Sequence, residues 1–250
     1  MSKTSFKDEV IWIIGASSGI GKALAAQLAN AGARVVISAR RKKELEQLKS
    51  KLAGTTLVFA LDITDSDMTK RTAQAIRAAA GRIDRVIFMS AAYTPMKLSA
   101  LDLNISRNMV EVNVMGALNV IHAVLPILKE QSQGQITLCG SVAGYTGLPG
   151  GQPYSATKAA VINLAESLRA ELPKNIDVKL ISPGFVKSEL TDKNDFKMPM
   201  IISAERAAQE IAKGLQSTRF EIHFPKGFTL FLKLLRWLPY WLLLRITQKL

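Results

Sequence analysis

Residues 10–21 read VIWIIGASSGIG: an unbroken apolar run, Val10 to Ile14, then a glycine-rich turn, then the start of an Ala- and Leu-rich helical stretch over 20–31. Five consecutive apolar residues bounded by glycine fit a strand buried on both faces, as in a parallel sheet. In the turn, Gly15 allows a sharp change of direction, and Gly19 and Gly21 let the backbone come close to a ligand. Strand, glycine turn and helix in this order form a dinucleotide cradle, because the helix N-terminus faces the pyrophosphate charge. The candidate contacts are Gly15, Ser17, Ser18, Gly19, Ile20 and Gly21. Taken alone, the turn also fits a strand-to-helix connection that holds no ligand.

Further strands are expected at 34–39, 57–61, 85–89, 135–140, 178–181 and 220–224. Helices are expected at 41–52, from Asp65 as cap to residue 80, at 103–128 with Pro126 near the end, at 152–172, and from Ser203 as cap to 215. Residues 183–202 read as an irregular loop. This alternation predicts an α/β fold: a single doubly wound parallel sheet of Rossmann type in a three-layer α/β/α arrangement. One domain over 1–227 is expected, followed by an apolar tail over 228–250.

The 250 residues suffice for a full core, and 48% apolar with 21% charged residues is ordinary for a globular chain. The single Cys139 excludes an internal disulfide and fits a reducing compartment. A net charge of +13 suits nucleic acid or an anionic membrane surface. The basic residues are dispersed, and no helix-turn-helix, zinc-ligand spacing or RNA-binding signature accompanies them, so no nucleic-acid partner is expected. The N-terminus, MSKTSFKDE, lacks the apolar core of a signal peptide, and a cytoplasmic location is expected.

After the second strand comes Ala39-Arg40-Arg41, with no acidic side chain to hold a ribose 2′-hydroxyl. An arginine there pairs with a 2′-phosphate, which favours NADP(H) over NAD(H). The other reading of this basic run is a solvated helix start, and Lys42 and Lys43 are read that way. Asp62, at the end of the third strand, either borders the adenine or caps the next turn.

Tyr154 and Lys158, in YSATK, are four residues apart and share one helix face. A tyrosine phenol titrates near 10, too high for efficient proton exchange near neutrality. A neighbouring ammonium, aided by an oxidised nicotinamide, is expected to lower it. Ser141, thirteen residues before Tyr154, is placed to hydrogen-bond a substrate oxygen. A Tyr-x-x-x-Lys pair alone fits an ordinary helix surface; with the glycine turn upstream and Ser141 it points to hydride chemistry.

Over residues 8–225 the chain resembles the short-chain dehydrogenase/reductase family. The matching segments are GASSGIG, ALDITD with Asp62, VNVMG with Asn113, SVAG with Ser141, YSATK and SPGFVKS. The resemblance implies Asn113, Ser141, Tyr154 and Lys158 as a catalytic tetrad, with Asn113 supporting a water that relays protons to the lysine. It implies that Pro183, Gly184 and Val186 line the nicotinamide, that Ser90 borders the cofactor, and that relatives pair through helices 103–128 and 152–172 as homodimers or homotetramers. It also matches a basic residue after the second strand to NADP-preferring members. Two departures stand out: Ile14 replaces a threonine before the first glycine, and Phe88-Met89-Ser90-Ala91 replaces an Asn-Asn-Ala-Gly brace. The expected activity is NADP(H)-dependent interconversion of a carbonyl and an alcohol with Tyr154 as acid/base, and the apolar tail hints at a lipophilic substrate. The alternative is a noncatalytic nucleotide-binding scaffold.

His122 reads as a packing or interface residue, and His223 has no partner in motif spacing. Cys139 reads as a small core residue, and no cluster has metal-ligand spacing. Tyr93, Met96 and Tyr145 either line the substrate mouth or pack within loops. In the tail, Pro239 divides two halves, each shorter than the roughly twenty apolar residues of a spanning helix. Thr229, Lys233, Arg236, Tyr240 and Thr247 share one helical stripe, and Trp237, Tyr240 and Trp241 suit a lipid boundary. Residues 219–250 hold six basic and one acidic side chain. The expectation is an in-plane peripheral contact with the inner face of a membrane. The alternatives are a cover for the cleft or a contact with a second subunit.

Overall fold

The structure, a computed structural model, describes residues 6–196 and 198–248. The start of the polar N-terminus and Lys249 lie outside the described residues. Seven strands, β1 (Val10–Ile14), β2 (Arg34–Ala39), β3 (Thr56–Ala60), β4 (Arg85–Phe88), β5 (Gly134–Cys139), β6 (Ile176–Pro183) and β7 (Glu221–Phe224), form one parallel sheet in the order β3-β2-β1-β4-β5-β6-β7. Helices α1 (Gly19–Asn30), α2 (Lys42–Lys49), α3 (Ser66–Ala80), α4 (Leu103–Val110), α5 (Gly116–Gln131), α6 (Tyr154–Glu171) and α7 (Ala204–Leu215) flank it. The tail adds α8 (Lys226–Arg236) and α9 (Tyr240–Thr247).

The two-residue period of a strand divides β1 between two cores. Val10, Trp12 and Ile14 join a cluster with α3, α5, α6 and the tail; Ile11 and Ile13 join one with α1 and α7. All five are fully buried, and each such side chain stabilises the fold by roughly 1.5–3 kcal/mol. The three-layer doubly wound sheet is therefore as the sequence indicates. Asp65 accepts from the Met68 N–H and Ser203 from the Arg206 N–H, capping α3 and α7 as expected.

The helix expected over 103–128 is different. It is broken into α4 and α5 by a π-helical turn, Glu111–Met115, and continues past Pro126 to Gln131. The extra residue of a π-turn rotates Asn113 fully inward. Chain order reverses about β1: β2 follows on one side and β4 on the other. A crevice therefore opens at their carboxyl ends, where ligands bind doubly wound sheets.

Candidate active site

A cleft of about 560 Å³ occupies this crevice. One wall is the glycine turn. Gly15 has φ +95°, and a Cβ there would lie 2.7 Å from the Ser90 nitrogen. Gly19 has φ +53°, and a Cβ on Gly21 would meet the Gly15 carbonyl at 2.2 Å. Gly15 and Gly21 leave no room for a side chain, and Gly19 holds a left-handed conformation that favours glycine. Ser18, the N-cap of α1, makes no side-chain cap bond, and the first turn holds no acidic residue. The helix thus presents its N-terminal N–H groups to the cleft, as a phosphate requires.

Arg40, Arg41 and Asp62 line the same cleft. Arg41 Nη2 donates to Ser17 Oγ at 3.1 Å and lies 3.4 Å from Glu189 Oε2. Asp62 Oδ1 accepts from the Thr64 N–H at 3.0 Å and hydroxyl at 2.8 Å, so Asp62 both borders the cleft and caps the following turn. Ser90, Pro183, Gly184 and Val186 also line the cleft; of the residues expected at the cofactor, Asn113 alone is not at the lining.

Ser141, Tyr154 and Lys158 converge on the far wall. Ser141 caps a 3-10 turn, Val142–Gly144, by accepting from the Ala143 N–H. A Cβ on Gly144 would lie 2.7 Å from the Lys158 carbonyl carbon and 2.8 Å from Ala159 N, so this close approach sets the Ser141 loop against α6. Tyr154 begins α6 and Lys158 follows one turn later. Lys158 is 1% exposed; its Nζ donates to the Cys139 carbonyl at 2.8 Å and stands 5.6 Å from the Tyr154 ring centroid. Burial pulls the Lys158 ammonium below its usual range.

The Tyr154 phenol departs from expectation. Burial pushes it up, and the nearby Cys139 and Tyr93 add to this, while a hydrogen bond with Ser141 opposes it. The protein's own groups therefore hold Tyr154 as a protonated phenol. This form suits a proton donor to a carbonyl oxygen. Lowering the phenol needs positive charge beyond what Lys158, committed to the Cys139 carbonyl, supplies.

Asn113 does not line the cleft. Its Oδ1 accepts from the Ala92 N–H at 2.7 Å; its Nδ2 donates to the Ala92 carbonyl at 3.0 Å and to Thr157 Oγ1 at 2.9 Å. Thr157 in turn donates to the Tyr154 carbonyl. Asn113 thus ties the chain after β4 to the first turn of α6. The missing Asn-Asn-Ala-Gly brace is made good by this amide and by apolar packing: Phe88 is fully buried in the sheet core, and the Met89 N–H donates to the Ile14 carbonyl.

Tyr93 lines the cleft and packs edge-on to Tyr154 with ring centroids 4.8 Å apart. Its hydroxyl donates to Asn194 Oδ1 at 2.6 Å, and Lys193 Nζ donates to the Tyr93 carbonyl at 2.8 Å. These bonds draw the loop after β6 across the cleft mouth. The sequence places the pocket among residues 93–99, 145–151 and 188–202, which include Tyr93, Lys193 and Asn194; the particular bonds between them, a hundred residues apart, it does not show. Met96 is half-buried outside the lining. Tyr145 is buried in the core with its hydroxyl on Glu221 and does not reach the mouth. Cys139 is a buried strand-end residue, His122 is exposed on α5, and His223 Nδ1 meets Thr229 Oγ1 at 2.6 Å.

The family description "short chain dehydrogenase" matches residues 9–198. The chain belongs to the short-chain dehydrogenase/reductase family. It is 36% identical over 229 residues to an uncharacterized oxidoreductase of Myxococcus xanthus, covering 90% of each protein. A short-chain type dehydrogenase/reductase from Mycobacterium ulcerans superposes with a TM-score of 0.82 at 26% identity, over 90% of this chain and 91% of that one. A short chain dehydrogenase/reductase from Burkholderia phymatum, solved in complex with NAD, gives 0.83 over 94% of each chain at 22% identity, a likeness of fold. This short-chain dehydrogenase/reductase is an oxidoreductase, and its cleft at the sheet's carboxyl edge is the place to look for the reaction.

Proposed function

We propose that the chain interconverts a carbonyl compound and an alcohol with NADP(H), with Tyr154 as the acid/base. The observation that carries this reading is the convergence of Ser141, Tyr154 and Lys158 in one cleft with the glycine turn and the Arg40–Arg41 pair. The glycines that admit no Cβ and the uncapped start of α1 fit a pyrophosphate. Arg41 at the turn fits a 2′-phosphate; its exposed pairing with Glu189 is worth only about 0–1 kcal/mol and is easily exchanged for one. When bound, the nicotinamide supplies hydride to the carbonyl carbon or accepts it from the alcohol carbon.

In reduction, the Tyr154 phenol, kept protonated by burial, gives its proton to the carbonyl oxygen. Ser141 Oγ donates a hydrogen bond to the same oxygen as charge develops. The Lys158 ammonium then stabilises the phenolate until it is reprotonated, and its donors not used by Cys139 serve the ribose hydroxyls. Asn113 keeps the first turn of α6 in register through Thr157 and Ala92. In oxidation the proton runs back to the phenolate.

The same reading divides the chain into a catalytic unit over 1–227 and a tail over 228–250. It pairs subunits through α4, α5 and α6; Val110 on α4, Met115 in the π-turn and Leu118 on α5 are exposed apolar residues. The test is a screen of NADPH and NADH oxidation over carbonyls of graded polarity, repeated with Tyr154→Phe. The variant is expected to bind NADPH normally and to lose about a hundredfold or more of the carbonyl reduction. An unchanged rate would exclude Tyr154 as the acid.

A further inference from the structure

The tail is docked, and its docking leaves the wrong residues outside. Leu232, Leu235 and Leu243 are buried in the same core cluster as α3, α5 and α6. Lys233 pairs with Glu221, which also accepts from Tyr145, and Thr229 meets His223. Ion pairing and these hydrogen bonds hold the Glu221 carboxyl low although burial opposes this. The expected polar stripe is therefore split: Thr229, Thr247 and Lys233 face the protein, and only Arg236 and Tyr240 are exposed.

The opposite face of α8 carries Gly227, Leu230, Phe231, Leu234 and Trp237, at helical spacing and all exposed. Tyr240, Trp241 and Leu244 extend it on α9. Trp237 is 88% exposed, Tyr240 80% and Leu234 67%. A patch of this kind marks an interaction surface rather than a contribution to the fold.

Two features choose its occupant. The first is charge. Lys226, Arg236 and Arg245 are exposed among these apolar residues, and the only acidic side chain of residues 219–250, Glu221, is turned inward on Lys233. A second copy of the chain would bring the same cations to the seam; an anionic lipid surface would neutralise them. Helices of 11 and 8 residues reach only about 16 and 12 Å at 1.5 Å per residue. They can lie on a bilayer whose hydrocarbon is about 30 Å thick but not cross it.

The second feature is continuity with the cleft. Gly184 lines the cleft, and the ring of the next residue, Phe185, packs on Phe228 of α8 at 5.6 Å and on Phe196 at 5.8 Å. Met200 covers Gly227, its Cε 3.2 Å from where a Cβ would stand. Phe196, Met200 and Ile201 are themselves exposed. Through Phe185, Phe228 and Met200 the tail thus packs against the chain that follows the cleft-lining Pro183 and Gly184.

We infer that this face seats in the plane of an anionic phospholipid surface and that the cleft draws its carbonyl substrate from the lipid, the second clause resting on the oxidoreductase reading above. Trp237 and Trp241 anchor at the headgroup level, the cations engage lipid phosphates, and the exposed Phe196, Met200 and Ile201 face the acyl region.

The test uses the full chain with phosphatidylcholine vesicles, with and without phosphatidylglycerol, and the double variant Trp237→Ser/Trp241→Ser. Only three tryptophans are present and Trp12 is fully buried, so the emission shift on lipid reports the tail. The wild type is expected to sediment with the phosphatidylglycerol vesicles, to blue-shift, and to bind less at high salt. The variant is expected to lose vesicle affinity by at least about tenfold. Its turnover of a long-chain ketone dissolved in the vesicles should fall in proportion, with its NADPH-dependent reduction of a small water-soluble carbonyl unchanged. Wild type left in the supernatant, or a variant that sediments equally, overturns the membrane surface. So does a wild-type dimer that ignores vesicles and becomes monomeric on substitution. Equal loss on both carbonyls overturns delivery from lipid. Vesicle binding without reduction of either carbonyl overturns the oxidoreductase reading and the delivery with it, and leaves the membrane surface standing.

Discussion

Lys158 and Trp237 are placed in opposite ways, and each against its own solvation. An ammonium is 1% exposed in the cleft, and an indole is 88% exposed on the tail. Burying the first costs desolvation that one carbonyl only partly offsets. Exposing the second forfeits roughly 1.5–3 kcal/mol that burial would give. Neither position serves the fold. On the readings proposed above, a ligand would complete the environment of the cation in the cleft, and a lipid surface that of the indole at the tail. The two regions meet where Phe185, next in the chain to the cleft-lining Gly184, packs on Phe228 of α8.

The largest effect expected from pressing on this comparison is at the cation. Lys158→Met should lower carbonyl reduction by about 10²–10⁴-fold, yet leave thermal stability equal or higher, because a buried charge is removed. Calorimetry beside NADPH-oxidation kinetics checks both; a large fall in melting temperature would make Lys158 a structural residue. Next is Arg41→Ala. Loss of a charged hydrogen bond to the 2′-phosphate, about 1.5–3 kcal/mol, should raise the KM for NADPH by roughly ten- to a hundredfold and leave that for NADH unchanged. Equal effects on both cofactors would remove Arg41 from 2′-phosphate recognition.

A smaller effect lies where the tail is moored. Burial, with Lys233, Lys226 and Arg219 nearby and only Glu221 opposing, lowers His223 to about 4 from its usual 6.5. Between these values the unfolded chain binds a proton that the folded chain does not, so stability falls as pH drops through this window and is retained above it. His223→Gln should flatten that part of the pH–stability curve; an unchanged slope would assign it to other groups. The smallest effect is Trp237→Ser, which should alter unfolding free energy by no more than about 0.5 kcal/mol in urea titrations. A larger loss would make the tail's outer face part of the fold.

The cleft was legible where its chemistry is local. GASSGIG and YSATK place their groups within one turn of chain, and the strand and helix periods fix which edge of the sheet they share. Asp65 and Ser203 were legible as caps for the same reason. Contacts between distant segments were not. The π-turn that carries Asn113 inward leaves no periodic signature, and Gly144 shows its need for no side chain only once α6 lies against it. The bonds from Tyr93 to Lys193 and Asn194 span about a hundred residues. The tail's stripe was read correctly as helical, but its facing depended on Glu221, a partner outside the tail. The raised phenol of Tyr154 likewise reflects burial, which a spacing of four cannot report.

The central claim is tested most directly by following deuterium from NADPH labelled at nicotinamide C4 into the carbinol carbon of the product, with wild type and Tyr154→Phe at matched cofactor occupancy. Label is expected in the wild-type alcohol, with transfer slowed by about a hundredfold or more in the variant and NADPH affinity unchanged. Transfer at the wild-type rate by Tyr154→Phe, or product alcohol without label, would contradict it.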